Sequence, residues 1–257
     1  MRTRVVRHDD AAEDSERYDP VMVERLPQEW QKKKLEHFAE MKSFPNVFEP
    51  ETGEVFRKDY KMKGKWRSDY FGNERPIVLE LGCGKGEYSV GMAKKYPNKN
   101  FIGVDIKGAR MWRGAKTCLE ENISNVAFLR TRIEFIQSCF EKDEVDEIWI
   151  TFPDPQPKDR QEKKRLTGPL FIERYRSFLK KDGVIHLKTD SAFFYEFTRA
   201  ELERNHYVLL EDTKDLYGEK MEDLDDDTKE ILSIKTHYEK IFSDKGCKIH
   251  YLKFKLV

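Results

Sequence analysis

The stretch Ile77-Val78-Leu79-Glu80-Leu81-Gly82-Cys83-Gly84-Lys85-Gly86 decides how the rest of this chain is read. Its first five residues are a short β-rich apolar run of buried-strand length. Glycines at 82, 84 and 86 let the backbone turn sharply and approach a ligand closely. Residues 87–96 then read as a helix, stopped by Pro97. Residues 101–105 form the next strand, and its last residue, Asp105, lies nineteen positions beyond Gly86. A doubly wound fold places there the acid that accepts a ribose hydroxyl. Strand, glycine turn, helix, strand and acid together describe a site for a nucleotide-like cofactor.

Two residues separate the candidate cofactors. A dinucleotide fingerprint Gly-x-Gly-x-x-Gly would need its third glycine where Glu87 stands. Glu80, at the strand end, would repel a pyrophosphate but suits the cationic S-adenosylmethionine (SAM). The pattern therefore favours SAM over NAD.

Outward from this unit the strand–helix alternation continues. Strands are expected at 126–129, 147–152, 184–188, 207–211 and 248–256, and helices at 169–179, capped by Gly183, and at 191–204. The expected fold is α/β: a doubly wound, mostly parallel seven-stranded sheet with helices on both faces and an antiparallel last strand. Ligands gather at the carboxyl ends of such strands. Glu80, Asp105, Asp154 and Asp190 all fall at or just after those ends. Asp154 is held between two prolines in Phe152-Pro153-Asp154-Pro155. A planar base near that acid, opposite a nucleotide-like cofactor, would make a base-modifying enzyme.

With 257 residues there is room for one such domain, residues 61–257, and an N-terminal extension, residues 1–60. Residues 1–20 are polar and expected to be mobile. Residues 27–42 read as an amphipathic helix with Trp30, Phe38 and Met41 on one face, and 43–75 as a loop over the cofactor mouth. No apolar run approaches the ~20 residues that span a membrane. Residues 1–7 lack the apolar core of a signal peptide, so a cytoplasmic protein is expected. Four cysteines without paired spacing and six scattered histidines point to reduced thiols and to no metal site.

Net charge is zero, but it averages blocks of opposite sign. Residues 156–181 carry nine Lys or Arg against three acids, and 57–67 carry six against one. Residues 211–230 carry ten acids against three lysines. A charge run is commonly only a solvated face. The block after Asp154 starts where the chemistry would be, and is read as a phosphate-binding run.

Several motifs, in their order and spacing, resemble the bacterial tRNA (guanine-N7-)-methyltransferases, members of the class I SAM-dependent methyltransferases. These are Lys63-Gly64-Lys65-Trp66 with Phe71-Gly72-Asn73, then the cofactor turn from Glu80 to Gly86. Residues 152–158, Phe-Pro-Asp-Pro-Gln-Pro-Lys, are similar to the family's Phe-Pro-Asp-Pro-Trp-Pro-Lys signature. Arg160 and Lys163-Lys164-Arg165 match the basic run that follows, Lys188-Thr189-Asp190 the later acid, and Thr236-His237-Tyr238-Glu239 the late Thr-x-Tyr/Phe-Glu. The resemblance covers about three quarters of the chain.

It implies transfer of the SAM methyl group to N7 of guanine at position 46, in the variable loop of tRNA. Glu80, Gly82, Gly84, Asp105, Arg132, Ile133 and Asp154 would hold SAM, and Asp154 would be catalytic. Lys158, Asp190, Thr236, His237, Tyr238 and Glu239 would face the substrate. Arg160, Lys163, Lys164 and Arg165 would contact tRNA phosphates. No metal, membrane or obligatory protein partner is implied, and the chain would be a monomer or homodimer. Two positions depart from the pattern. Arg132 replaces an Asp near the adenine, leaving backbone groups of Arg132 and Ile133 to serve there. Gln156 replaces the signature Trp.

The chemistry follows from the atoms. Guanine N7 carries a free lone pair and no proton, so attack on a methyl group needs placement rather than a general base. A carboxylate such as Asp154 would accept from guanine N1–H and the 2-amino group and offset charge growing on the ring. Two alternatives remain: methyl transfer to another RNA or DNA position, and a non-catalytic RNA-binding module on the same fold. The first is disfavoured for exocyclic amines, whose enzymes carry Asn/Asp-Pro-Pro-aromatic where this chain has Pro153-Asp154-Pro155-Gln156.

Overall fold

The computed structural model of the protein describes residues 28–236, 239 and 246–257. The expected mobility of residues 1–20, the side chain of Trp30, and His237 and Tyr238 lie outside the described residues. In chain order the main elements are α1 (Gln28–Met41), β1 (Val47–Phe48), α2 (Thr52–Val55), β2 (Ile77–Leu81) and α3 (Glu87–Lys95). Then come β3 (Asn100–Asp105), α4 (Gly108–Glu120), β4 (Val126–Arg130), β5 (Val145–Thr151) and α5 (Pro169–Arg176). β6 (Leu179–Thr189), α6 (Ala192–Arg204), β7 (Val208–Thr213), α7 (Asp226–Leu232) and β8 (His250–Lys255) complete the chain.

The strands form one eight-stranded sheet in the order β1-β4-β3-β2-β5-β6-β8-β7. β8 runs antiparallel to both β6 and β7, and the remaining pairings are parallel. All seven expected strands are present. The eighth, β1, adds two residues at the sheet edge, where Val47 and Phe48 pair with Phe128 and Leu129.

β2 is central and all five of its residues are buried. Its alternation divides the core: Ile77, Leu79 and Leu81 pack on one face, and Val78 on the other. Glu80 lies on the Val78 face by the same period of two. That face is covered by α3 and α4. α4 buries Met111, Gly114, Ala115 and Cys118, one stripe at helical spacing. α1 packs outside α4: Trp112 Nε1 donates to Glu40 Oε2 at 2.7 Å, and the His37 ring stacks on Trp112 at 3.7 Å.

Two expectations are corrected. Gly183 does not cap the helix at 169–179. α5 ends at Arg176 with Ser177 as its cap, and Gly183 lies inside β6, where the register against β5 shifts. The packing of Leu179 starts the strand early and leaves Lys180, Lys181 and Asp182 as an exposed bulge.

Nor do residues 57–75 close over the cofactor mouth, although Glu49 reaches Arg130 at the carboxyl end of β4. Beyond β1 and α2 they strap the opposite end of the sheet. Trp66 is fully buried, stacked on Phe140, and its Nε1 donates to Cys139 O at 2.9 Å. Glu144, just before β5, accepts from the backbone N of Gly64 and Trp66. Arg67 donates to Glu144 O and to Asp146, and Arg75 to Pro97 O. The basic run 57–67 lies there too: Arg57, Lys58 and Lys63 line a cleft with Glu141, Lys142 and Ser177, ahead of β5 and β6. The exposed cations near Asp154 must therefore come from elsewhere.

Candidate active site at the strand ends

The glycine turn is tied to the neighbouring strand, since Gly82 N and Cys83 N both donate to Val104 O, at 2.8 and 3.1 Å. Gly82 and Gly84 have φ of +80° and +54°. A Cβ built at either would meet nothing within 4 Å, so the turn presents bare backbone to open space. Gly86 serves packing instead: a Cβ there would lie 2.6 Å from Phe128 Cε1. Gly114 of α4 completes that contact, because its Cβ would lie 2.5 Å from Lys85 O.

Two carboxylates frame the turn. Asp105 ends β3, and its Oδ2 accepts from Gly84 N at 2.9 Å while Oδ1 accepts from Lys107 N at 2.8 Å. Both bonds fix the carboxylate at the rim of the turn. Glu80 lies beneath, only 1% exposed. Ser89 donates to its Oε2 through N (2.9 Å) and Oγ (2.6 Å), and Thr151 Oγ1 donates to Oε1 at 2.9 Å. Burial pushes the Glu80 carboxyl up to about 7, against the pull of the Ser89 and Thr151 hydrogen bonds. An open cradle of bare backbone flanked by two fixed carboxylates fits a ribose with a cationic tail. Arg132 and Ile133 follow β4 beside Asp105; Arg132 is exposed and opens a 3-10 turn running from Ile133 to Ser138.

Asp154 sits on the loop leaving β5. Phe152 and Gln156 bracket it with φ of +50° and +48°, a left-handed conformation that side chains rarely adopt. Phe152 N donates to Lys188 O at 2.8 Å, which fixes the loop to β6. Asp154 is exposed. Its Oδ2 accepts from Gln156 Nε2 at 2.7 Å and its Oδ1 from Gln156 N at 3.3 Å.

Lys158, Arg160, Lys163 and Lys164 are exposed on and just before a 3-10 turn that follows this loop. Arg165 does not belong with them, which corrects its place in the phosphate-binding run. It is 5% exposed, its guanidinium lies 4.9 and 4.5 Å from the rings of Phe193 and Phe197, and its Nε donates to Gln156 O. Apolar α6 rings covering the residue decide this, and nothing local in the run announces it.

Asp190 directly follows β6 and precedes Ser191, the residue that caps α6. Thr236 Oγ1 accepts from Glu239 N at 3.1 Å. Glu239 was expected to face substrate but is fully buried, paired with Lys188 at 2.7 Å. Lys188 Nζ also donates to Leu232 O at 2.7 Å and to Tyr217 Oη at 3.0 Å, and the Tyr217 hydroxyl bonds Glu239. Thr151, which holds Glu80, pairs with Lys188 across the sheet. Sequence reasoning missed this cluster and Ser89. The one signal was a lysine closing an apolar strand, which requires a counter-ion.

The comparisons agree with this geometry. A family model described as "Putative methyltransferase" matches residues 74–252. A crystal structure of the 16S rRNA methyltransferase KamB superposes with a TM-score of 0.54 at 14% identity, covering 75% of this chain and 91% of that one. That likeness concerns the fold. The tRNA (guanine-N(7)-)-methyltransferase of Bacteroides thetaiotaomicron is 54% identical over 225 residues, covering 88% of this chain and 86% of that protein. The enzyme of the same name from Christiangramia forsetii is 49% identical, with 88% and 98% covered. Identity at that level, over 88% of the chain, means that the chain belongs to the tRNA (guanine-N(7)-)-methyltransferase family.

Proposed function

We propose that the protein transfers the methyl group of SAM to N7 of a guanine in tRNA, the variable-loop guanine at position 46. The observation that carries this reading is the glycine cradle with Asp105 and Glu80 a strand away from Asp154, in a chain of this family. SAM supplies an electrophilic methyl group. Asp105 is placed to hold the ribose, and Gly82 and Gly84 let the cofactor lie against backbone. Asp154 is placed to pair with the guanine edge and to offset the charge that methylation creates. Lys158, Arg160, Lys163 and Lys164 offer cations to the phosphates, with Asp190 and the segment at Thr236 bordering the substrate. Residues 61–257 would form the catalytic domain, in a cytoplasmic monomer or homodimer. Among the described residues no helix is long and apolar enough to cross a membrane. The test is incubation with labelled SAM and unmodified tRNA, then digestion: N7-methylguanosine supports the reading, and a different methylated nucleoside overturns it.

First, SAM affinity should depend on Glu80. Burial pushes its carboxyl up to about 7, and a cationic ligand favours the ionised form. Because the folded value is raised, the stability this group contributes is present below about 4.5 and is lost as pH rises through about 7. Binding below that pH must expel a proton, so affinity should fall up to about tenfold per unit. Calorimetry across this range should show that dependence weakened in Glu80→Gln; an equal slope in both proteins would refute the role.

Second, replacing Lys158, Lys163 and Lys164 with Ala should weaken tRNA binding and lower the log–log salt slope by ~0.7–0.9 per lost phosphate contact. SAM affinity should not move. An unchanged slope would show that these lysines form only a solvated face.

A further inference from the structure

Gln156 stands where the family signature carries Trp, and its side chain does something a Trp could not do in the same way. Its amide Nε2 donates to Asp154 Oδ2 at 2.7 Å, and its backbone N donates to Oδ1 at 3.3 Å. Both oxygens of the proposed catalytic carboxylate therefore have donors from one residue. The amide has only one sensible orientation, because flipping it would set its oxygen against the carboxylate. Gln156 is itself anchored: Arg165 Nε donates to its carbonyl at 3.2 Å, and the guanidinium lies against Phe193 and Phe197 of α6.

This arrangement carries two local costs. Gln156 has φ of +48°, and its Oε1 is buried without a hydrogen-bond partner among the described residues. A strained backbone and an orphaned acceptor beside an exposed carboxylate mark a residue held for what it does to its neighbour. We propose that Gln156 is a positioning residue for Asp154, fixing the carboxylate in one rotamer for the guanine edge. A carboxylate offers about four lone-pair sites, so two donors from Gln156 leave room for two from the base. This inference rests on the proposed role of Asp154.

The test uses Gln156→Leu and Gln156→Glu, each alone and combined with Asp154→Asn. Turnover on one tRNA, SAM affinity and thermal melting are measured at about pH 5.5–8.5. Gln156→Leu should lower kcat about 10–100-fold, the worth of a charge-assisted hydrogen bond. KM for tRNA and SAM affinity should barely change. Gln156→Glu should be impaired at the alkaline end and recover as pH falls, because the protonated new carboxyl donates to Asp154 again. The adjacent negative charge raises the pKa of that carboxyl above its ordinary ~4.3, which brings the recovery into range. A merely structural role gives no such pH-dependent rescue, and Gln156→Leu should show none. In the Asp154→Asn background, Gln156→Leu should cost little more. Wild-type kcat in Gln156→Leu, a gain in kcat, an undiminished cost in that background, or no recovery of Gln156→Glu would each overturn the inference. Near-full turnover by Asp154→Asn alone would instead overturn the role of Asp154, so the two failures are told apart.

Discussion

Asp154→Ala is expected to lose roughly 10²–10³ in methyl-transfer rate, by analogy with the loss of one preorganised oxyanion-hole donor. The variant should fold, because Asp154 is exposed and, among the described residues, hydrogen-bonds only to Gln156. It should bind SAM, since Glu80 and Asp105 are held by other residues. The loss should fall on kcat. Guanine N7 is already a nucleophile, and in-line placement against the methyl group is worth about 7–11 kcal/mol when the geometry is near-attack. Without the carboxylate one edge of the base is unheld and the growing positive charge is unopposed. Asp154→Asn should fall between wild type and Asp154→Ala, because an amide keeps one acceptor and brings no charge. At saturating SAM and tRNA the wild-type kcat should show no basic limb near neutrality from proton abstraction, as no proton leaves before attack. Near wild-type turnover by both variants on the same tRNA would refute the assignment.

The parts of the molecule that are local in sequence were legible in it. β2, its turn and α3 are contiguous, and their apolar period and glycines specify them without outside help. Asp105 and Asp154 could be placed because strand ends are set by the same local patterns. What failed depends on residues far apart in the chain. Arg165 reads like Lys163 and Lys164 until α6 brings Phe193 and Phe197 against it. Residues 43–75 have no regular period, and their course is set by Trp66 finding Phe140 and by Glu144 satisfying turn amides. Glu239, expected to face the substrate, is instead buried because its partner, Lys188, lies far back in the chain on β6. Gln156 stands in the sequence only as a replacement of the signature Trp; the geometry shows a hydrogen-bond donor to Asp154.

Lys188→Met should destabilise the fold by about 3–5 kcal/mol, the cost of leaving a buried partner charge uncompensated. Lys188 is 0% exposed, and Glu239 is equally buried with its Oε2 already lacking a partner among the described residues. The double variant Lys188→Met with Glu239→Gln should recover much of that loss, because it removes both charges. Burial pulls the Lys188 ammonium below its ordinary range while Glu239 pulls it back up, and the geometry of the pair sets the sign for the variant: without Lys188 the Glu239 carboxylate is left buried and uncompensated. Urea unfolding at neutral pH measures the loss and its rescue. The functional consequence follows from place. Lys188 holds Glu239, whose backbone N is bonded by Thr236, and its Nζ lies 5.9 Å from the ring of Phe152. Releasing the pair frees Thr236 and Glu239, which the proposed function sets at the border of the substrate, so KM for tRNA should rise in Lys188→Met before SAM affinity changes. A loss below about 1 kcal/mol at neutral pH, with no rescue by Glu239→Gln, would show that the buried pair neither holds the fold nor anchors that segment.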